Sequence, residues 1–117
     1  MDVIVIRDLR VEASIGIHKR ERHVKQTLSI DLDIGLPGEA VFSSDKVADT
    51  IDYEQVTLRI RDLAASARFR LVETVADRVA ALLIRDFGAP WCKVSVAKLA
   101  VLANTRLVGV SIERRKP

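Results

Sequence analysis

Aromatic residues make up only 4% of the 117 residues, so the core must be built from aliphatic side chains. There is also no interleaving of basic and aromatic residues on which nucleic-acid bases could stack. The chain carries a net charge of +3, but its basic residues are dispersed. Arg20 and Arg22 flank Glu21, and Arg114, Arg115 and Lys116 form only a short tail, so these read as solvated charges and no nucleic-acid partner is expected. A single cysteine, Cys92, excludes an internal disulfide and fits a reducing compartment, which makes the cytoplasm the expected location. The apolar run Val3 to Ile6 is too short, and too soon charged, for a membrane span or signal peptide, so no membrane partner is expected. His18 and His23 are five apart with Cys92 remote, which is not a metal-ligand spacing. Gly35-Leu36-Pro37-Gly38 lacks the lysine and the helix of a phosphate-binding loop, and there is no Gly-x-Ser-x-Gly elbow. No linker, repeat or low-complexity stretch divides the chain, so residues 1–117 are expected to form a single domain.

What is present is a clear succession of periods. Residues 3–12 alternate loosely and are rich in Val and Ile, which predicts a first strand. Ala13 to His23 reads as a turn or hairpin loop. Residues 26–36 alternate strictly: Leu28, Ile30, Leu32, Ile34 and Leu36 point one way, Thr27, Ser29, Asp31 and Asp33 the other, as in a strand with one dry and one wet face. Pro37 to Asp52 reads as a long loop. Asp52 is a predicted N-cap, with Gln55 completing a capping box, and Val56, Ile60, Leu63, Ala64 and Ala67 follow at helical spacing over 53–67. Between Phe69 and Phe87 a wide apolar stripe (Leu71, Val72, Val75, Ala76, Val79, Ala80, Leu82, Leu83) predicts a second helix stopping at Gly88. Residues 91–99 and 107–114 return to period two, with Val108, Val110 and Ile112 expected inward. The fold class is therefore α+β, with two helices on one face of a four-stranded, mostly antiparallel sheet. Thr27, Ser29, Asp31, Asp33, Lys93, Ser95 and Ser111 make the other face wet. Two open edges predict a homo-oligomer in which subunits pair their sheets around a polar channel, the alternative being a monomer with charged edges.

Three residues invite a functional reading. Glu73 lies in the first turn of the second helix, on the edge of the apolar stripe. No Ser, Thr, Asp or Asn occurs from Ala67 to Val72, so the usual N-cap is missing and the amides near Val72 and Glu73 need another acceptor. A bound carbonyl could serve the amides while Glu73 accepts from ligand N–H groups; a surface glutamate stabilised by the positive helix end is the alternative. Lys98 shares a face with Val94 and Val96. Desolvation there would lower its pKa and suit it to acid–base work, whereas a strand-end lysine reaching out to water would do neither. Tyr53, at the first helical position, could pack its ring, present its hydroxyl, or stack on a planar ligand.

Taken together, Ser14-Ile15-Gly16-Ile17, Glu21-Arg22, Gln26, Asp45, Asp49-Thr50-Ile51-Asp52-Tyr53, Phe69-Arg70-Leu71-Val72-Glu73-Thr74, Lys98 and Val110-Ser111-Ile112-Glu113-Arg114 resemble the dihydroneopterin aldolase family over nearly the whole chain. The resemblance implies the tunnelling fold, in which four subunits join their sheets into a barrel and two rings stack into an octamer. It implies a pterin substrate whose side chain is cleaved to hydroxymethyl-dihydropterin and glycolaldehyde on the way to folate. Glu73 would anchor the pterin ring, with Leu71 and the amides near Val72 beside it. Tyr53 from a neighbouring subunit would lie over the ring. Lys98 and Glu21 would stand near the reacting side chain. The reduced ring takes up the electrons of the breaking bond, so the resemblance implies neither a cofactor nor a metal. One departure is Leu99, where the family usually has proline after the lysine; relatives that epimerise dihydroneopterin or its triphosphate share the Lys-Leu form. Epimerisation, or pterin binding without turnover, are the alternative functions.

Overall fold

The computed structural model describes residues 1–16, 25–99 and 102–117. Four long strands, β1 (Val3–Ile15), β2 (Lys25–Gly35), β4 (Trp91–Leu99) and β5 (Leu107–Arg115), pair antiparallel in the spatial order β1-β2-β4-β5. The helices are α2 (Tyr53–Ser66) and α3 (Val72–Phe87), preceded by a single turn, α1 (Val41–Ser44), and a 3-10 turn at Val47–Asp49. α2 packs on β1, and α3 packs on β4 and β5.

Two expectations about the sheet need correction. The sheet has five strands and is mixed, because β3 (Arg68–Phe69) pairs in parallel with Ser14 and Ile15. The reason is local: α2 ends at Ala67 in an extended conformation, and Phe69 must be buried, so Arg68 and Phe69 of the short link between the helices lie along the edge of β1. The first strand also runs to Ile15 rather than residue 12, since Ala13 and Ile15 belong to the core. The expected loop 37–52 contains the two short helical turns, and α3 begins at Val72, after the extended Leu71.

The strict alternation of β2 is realised from Leu28 to Ile34, while Leu36 lies just beyond the strand and is half-buried. Leu28, Ile30, Leu32 and Ile34 are all 0% exposed and lie beneath the helices' buried side chains, Val56, Ile60 and Ala64 of α2 and Val75, Ala76, Val79, Ala80 and Leu83 of α3. β1 is looser because it holds a bulge: Ile6 faces Leu32 and Leu9 faces Ile30, so one extra residue is accommodated. Asp8, at φ 55, sits in the bulge, its amide donating to Asp31 at 2.7 Å and its carboxylate accepting from Ser29 at 2.6 Å and Arg10 at 2.5 Å. Those partners hold the Asp8 carboxyl below its usual range, Arg10 most and Ser29 next. On β5 the inward reading holds for Val110 and Ile112, which pack on the core, but Val108 is 38% exposed because nothing among the described residues covers that end of the strand.

Candidate active site

Asp52 caps α2 as its sequence predicts, accepting from the backbone amides of Glu54 and Gln55. The return bond from the Gln55 side chain is not formed among the described residues. α3 starts differently. Its N-cap position is Leu71, and no side chain caps it. The first-turn amides of Val72 and Glu73 therefore open outward, and the positive end of a 16-residue helix faces whatever lies in front of it.

In front of it is a crevice of about 350 Å³. One wall is the start of α3, with Arg70, Leu71, Val72 and Glu73; the other is the end of β4 and the start of β5, with Lys98, Val108, Gly109 and Val110. The sheet register makes this second wall. Lys98 lies between Leu28 on β2 and Val108 on β5, at the last turn of alternation before the strand ends at Leu99. Lys98 is half-buried, so it sits between the dry and the exposed positions that its pattern left open. Glu73 is exposed at the crevice rim, Val72 is half-buried, and Leu71 is 46% exposed. A carboxylate, an amine and a row of free amides thus converge on one partly apolar cleft. Such a set can hold a flat heterocycle by its N–H and carbonyl edges and move protons at its substituent.

Gly109 explains why the two strands close here. A Cβ at this position would stand 2.0 Å from the Val96 carbonyl oxygen and 2.6 Å from the Ala97 Cα, so only glycine lets β5 lie this near β4 beside Lys98. Sequence reasoning did not single out Gly109, although a glycine inside a strand pattern is itself the signal of a close backbone approach. Arg70 was part of a motif but not singled out, and nothing in its spacing marks it.

Of the other expected residues, Tyr53 is 63% exposed at the start of α2 and is not among the residues lining the crevice. Its hydroxyl makes no hydrogen bond among the described residues. Glu21 lies outside the described residues. The wet face carries another hollow, of about 240 Å³, beside Ser29, Asp31, Ser95 and Ser111. Its polar groups are taken up by one another, Ser95 bonding Ser111 at 2.9 Å and Ser29 bonding Asp8, so it offers no free catalytic set.

Residues 4–113 match the family model described as FolB: Dihydroneopterin aldolase. The chain belongs to the dihydroneopterin aldolase family. It is 35% identical over 114 residues to the dihydroneopterin aldolase of Escherichia coli strain K12, covering 97% of this chain and 93% of that one. The Haemophilus influenzae dihydroneopterin aldolase is 34% identical, covering 97% of each chain. Among solved structures, E. coli dihydroneopterin aldolase in complex with neopterin superposes with a TM-score of 0.91 at 35% identity, covering 97% of this chain and 99% of that one. A Vibrio cholerae protein described as a putative dihydroneopterin aldolase superposes with a TM-score of 0.94 at 37% identity, covering 98% of both chains. The α+β fold is common to this chain and those dihydroneopterin aldolases. Among the described residues, no helix is long and apolar enough to cross a membrane.

Proposed function

We propose that the chain is a lyase that cleaves dihydroneopterin to hydroxymethyl-dihydropterin and glycolaldehyde, a step of folate biosynthesis. The observation that carries this reading is that Glu73 and Lys98, on different elements and 25 positions apart, line one crevice at the uncapped tip of α3. Glu73 accepts hydrogen bonds from the amino and ring N–H groups of the pterin, a bidentate charge-assisted pair. The amides near Val72 take the ring carbonyl, and Leu71 packs beside the ring. A base removes the proton of the side-chain hydroxyl, the carbon–carbon bond breaks, and its electron pair passes into the ring, which is protonated. Glycolaldehyde leaves, and the exocyclic carbon is then protonated as the ring gives its added proton back to a base. Lys98 acts as acid and base near that carbon, Glu21 assists there, and Tyr53 enters from a neighbouring subunit to lie over the ring.

Two features favour an assembly that completes the site. β5 ends the sheet on one side, and β3 covers only Ser14 and Ile15 of the β1 edge. Val3, Val5, Leu107 and Val108 are exposed along these margins, and Val108 is also in the crevice wall. Pairing these edges between subunits closes a tunnelling barrel of four chains, and two rings stack into an octamer. The whole chain acts as one domain, in the cytoplasm.

Leu99 favours a second reading. It extends β4 by one pair, facing Leu107, where a proline could not donate to the ladder. The same bond cleavage followed by re-addition of glycolaldehyde to the opposite face would give an epimerase of dihydroneopterin or its triphosphate. Product analysis with both compounds side by side tests the proposal. Release of glycolaldehyde is expected. Formation of the side-chain diastereomer with little free glycolaldehyde supports the second reading, and pterin binding without turnover would overturn both.

A further inference from the structure

Gln26 is a polar residue on the dry face of β2. It stands two places before Leu28, on the same side of the strand and opposite Ala13 of β1, and it is half-buried. Its side chain explains the exception: Nε2 donates to the carbonyl of Ile15, two residues along β1 from Ala13, at 2.8 Å. Ile15 is 0% exposed, and it is where β3 is fastened to the sheet. It pairs with Phe69, and the next amide, Gly16, donates to the Phe69 carbonyl at 3.1 Å. Phe69 leads directly into Arg70, Leu71, Val72 and Glu73, the α3 wall of the crevice. Gln26 itself belongs to the strand that flanks the other wall, since Leu28 pairs with Lys98. One hydrogen bond thus ties the strand beside Lys98 to the link that sets down the tip of α3. β3 is only two residues long, parallel and at the sheet edge, so its own ladder fixes that link weakly.

We propose that Gln26 is a positioning residue: by holding Ile15, and β3 through it, Gln26 sets the gap across the crevice between Glu73 at the tip of α3 and Lys98 on β4. The inference rests on the pterin reading above, in which Glu73 anchors the ring and Lys98 works at its substituent. A changed gap leaves the ring bound but puts the amine out of line with the reacting carbon, and small misplacements of that kind lower a rate far more than an affinity. Gln26→Leu and Gln26→Glu remove the donor at similar size. In both, kcat for glycolaldehyde release, measured well below the melting temperature, should fall by about 10- to 100-fold while the neopterin Kd stays within about threefold. Hydrogen exchange needs no pterin: the Gly16 amide should exchange about tenfold faster in Gln26→Leu, while the amides of Val79 to Leu83 keep their rates. A glutamine that only satisfied a carbonyl would lower the melting temperature and leave kcat alone. Wild-type kcat in both variants, or an unchanged Gly16 rate, would therefore overturn the positioning role and leave the pterin site standing. A neopterin Kd weakened by more than about tenfold in both variants would make Gln26 a ligand contact and overturn it as well. A wild-type protein that bound no neopterin and released no glycolaldehyde would overturn both this role and the pterin reading, whatever the Gly16 amide did.

Discussion

Replacing Glu73 with glutamine separates a ligand-holding carboxylate from an ordinary surface glutamate. Glu73 is exposed, and among the described residues it accepts no hydrogen bond and forms no ion pair. Its contribution to stability is then limited to its interaction with the positive end of α3, about 0.3–1 kcal/mol. Glutamine keeps the size and one acceptor oxygen, so the melting temperature should fall by less than about 5 °C. Binding is a different matter. Two hydrogen bonds from ring N–H donors to a carboxylate are each worth about 1.5–3 kcal/mol, and the glutamine amide turns an N–H toward one of those donors. The expected loss is about 2–4 kcal/mol, or roughly 30- to 1,000-fold in the neopterin Kd. Calorimetric titration of both proteins reads this directly, with a thermal melt as the control. A neopterin Kd within about threefold of the wild type would make Glu73 a solvated helix-end residue, and the anchoring role would fall.

Lys98→Ala should lower kcat for glycolaldehyde release by about 10²- to 10⁴-fold and leave neopterin binding within about threefold; a loss of less than tenfold in kcat would remove lysine from the proton transfers. In Gly109→Ala the new methyl would meet the Val96 carbonyl at 2.0 Å, where ordinary contact begins at 3.4 Å, so β5 must shift. Denaturant titration should show a destabilisation of about 1–3 kcal/mol, with weaker pterin binding because Val108 and Val110 move too; an unchanged midpoint would contradict the strand spacing. The Cys92 thiol is 0% exposed and burial pushes it up to about 11 from an ordinary 9.0, with Arg114 pulling weakly the other way. The native protein should therefore resist alkylation at pH 8 and react once unfolded. Between those two values the unfolded chain has lost a proton that the fold keeps, so stability should fall as pH rises from about 9 toward 11, by on the order of 2–3 kcal/mol, and Cys92→Ala should flatten that slope.

What the sequence made legible depended on how many residues carried each signal. β2 offered a run of alternating positions, of which Leu28, Ile30, Leu32 and Ile34 became core, and α3 a long stripe that formed as a helix. β1 looked irregular for a physical reason: the bulge at Asp8 resets the phase, so Ile4 and Ile6 face the core before it and Leu9, Val11, Ala13 and Ile15 after it. Two residues have no period, and β3 was invisible for that reason. Val108 kept the inward pattern, yet it lies exposed in the crevice wall, since alternation reports the side of a sheet and not what covers it. Glu73 and Lys98 stood out because each violated its own element, one as a carboxylate at a bare helix tip and one as a cation in register with valines. Tyr53 carried no such violation, and the proposal that brings it to the site relies on a neighbouring subunit.

The two long helices of this chain solve the same problem in opposite ways. α2 closes its first turn with Asp52, a contact worth about 0.5–2 kcal/mol in comparable helices. α3 forgoes that contribution, and it can do so because its stability comes from elsewhere: Val75, Ala76, Val79, Ala80 and Leu83 are buried against the sheet, and Gly88 closes the far end in the left-handed conformation with its amide on the Leu83 carbonyl. A helix held this firmly along its length can leave its tip bare without fraying. The bare tip also faces the one place where β4 and β5 close around Gly109 and bring Lys98 alongside. A capping side chain at Leu71 would satisfy the amides internally and, in the proposed site, leave the pterin carbonyl without a partner, so on that proposal the missing cap is a condition of binding rather than a defect of the helix.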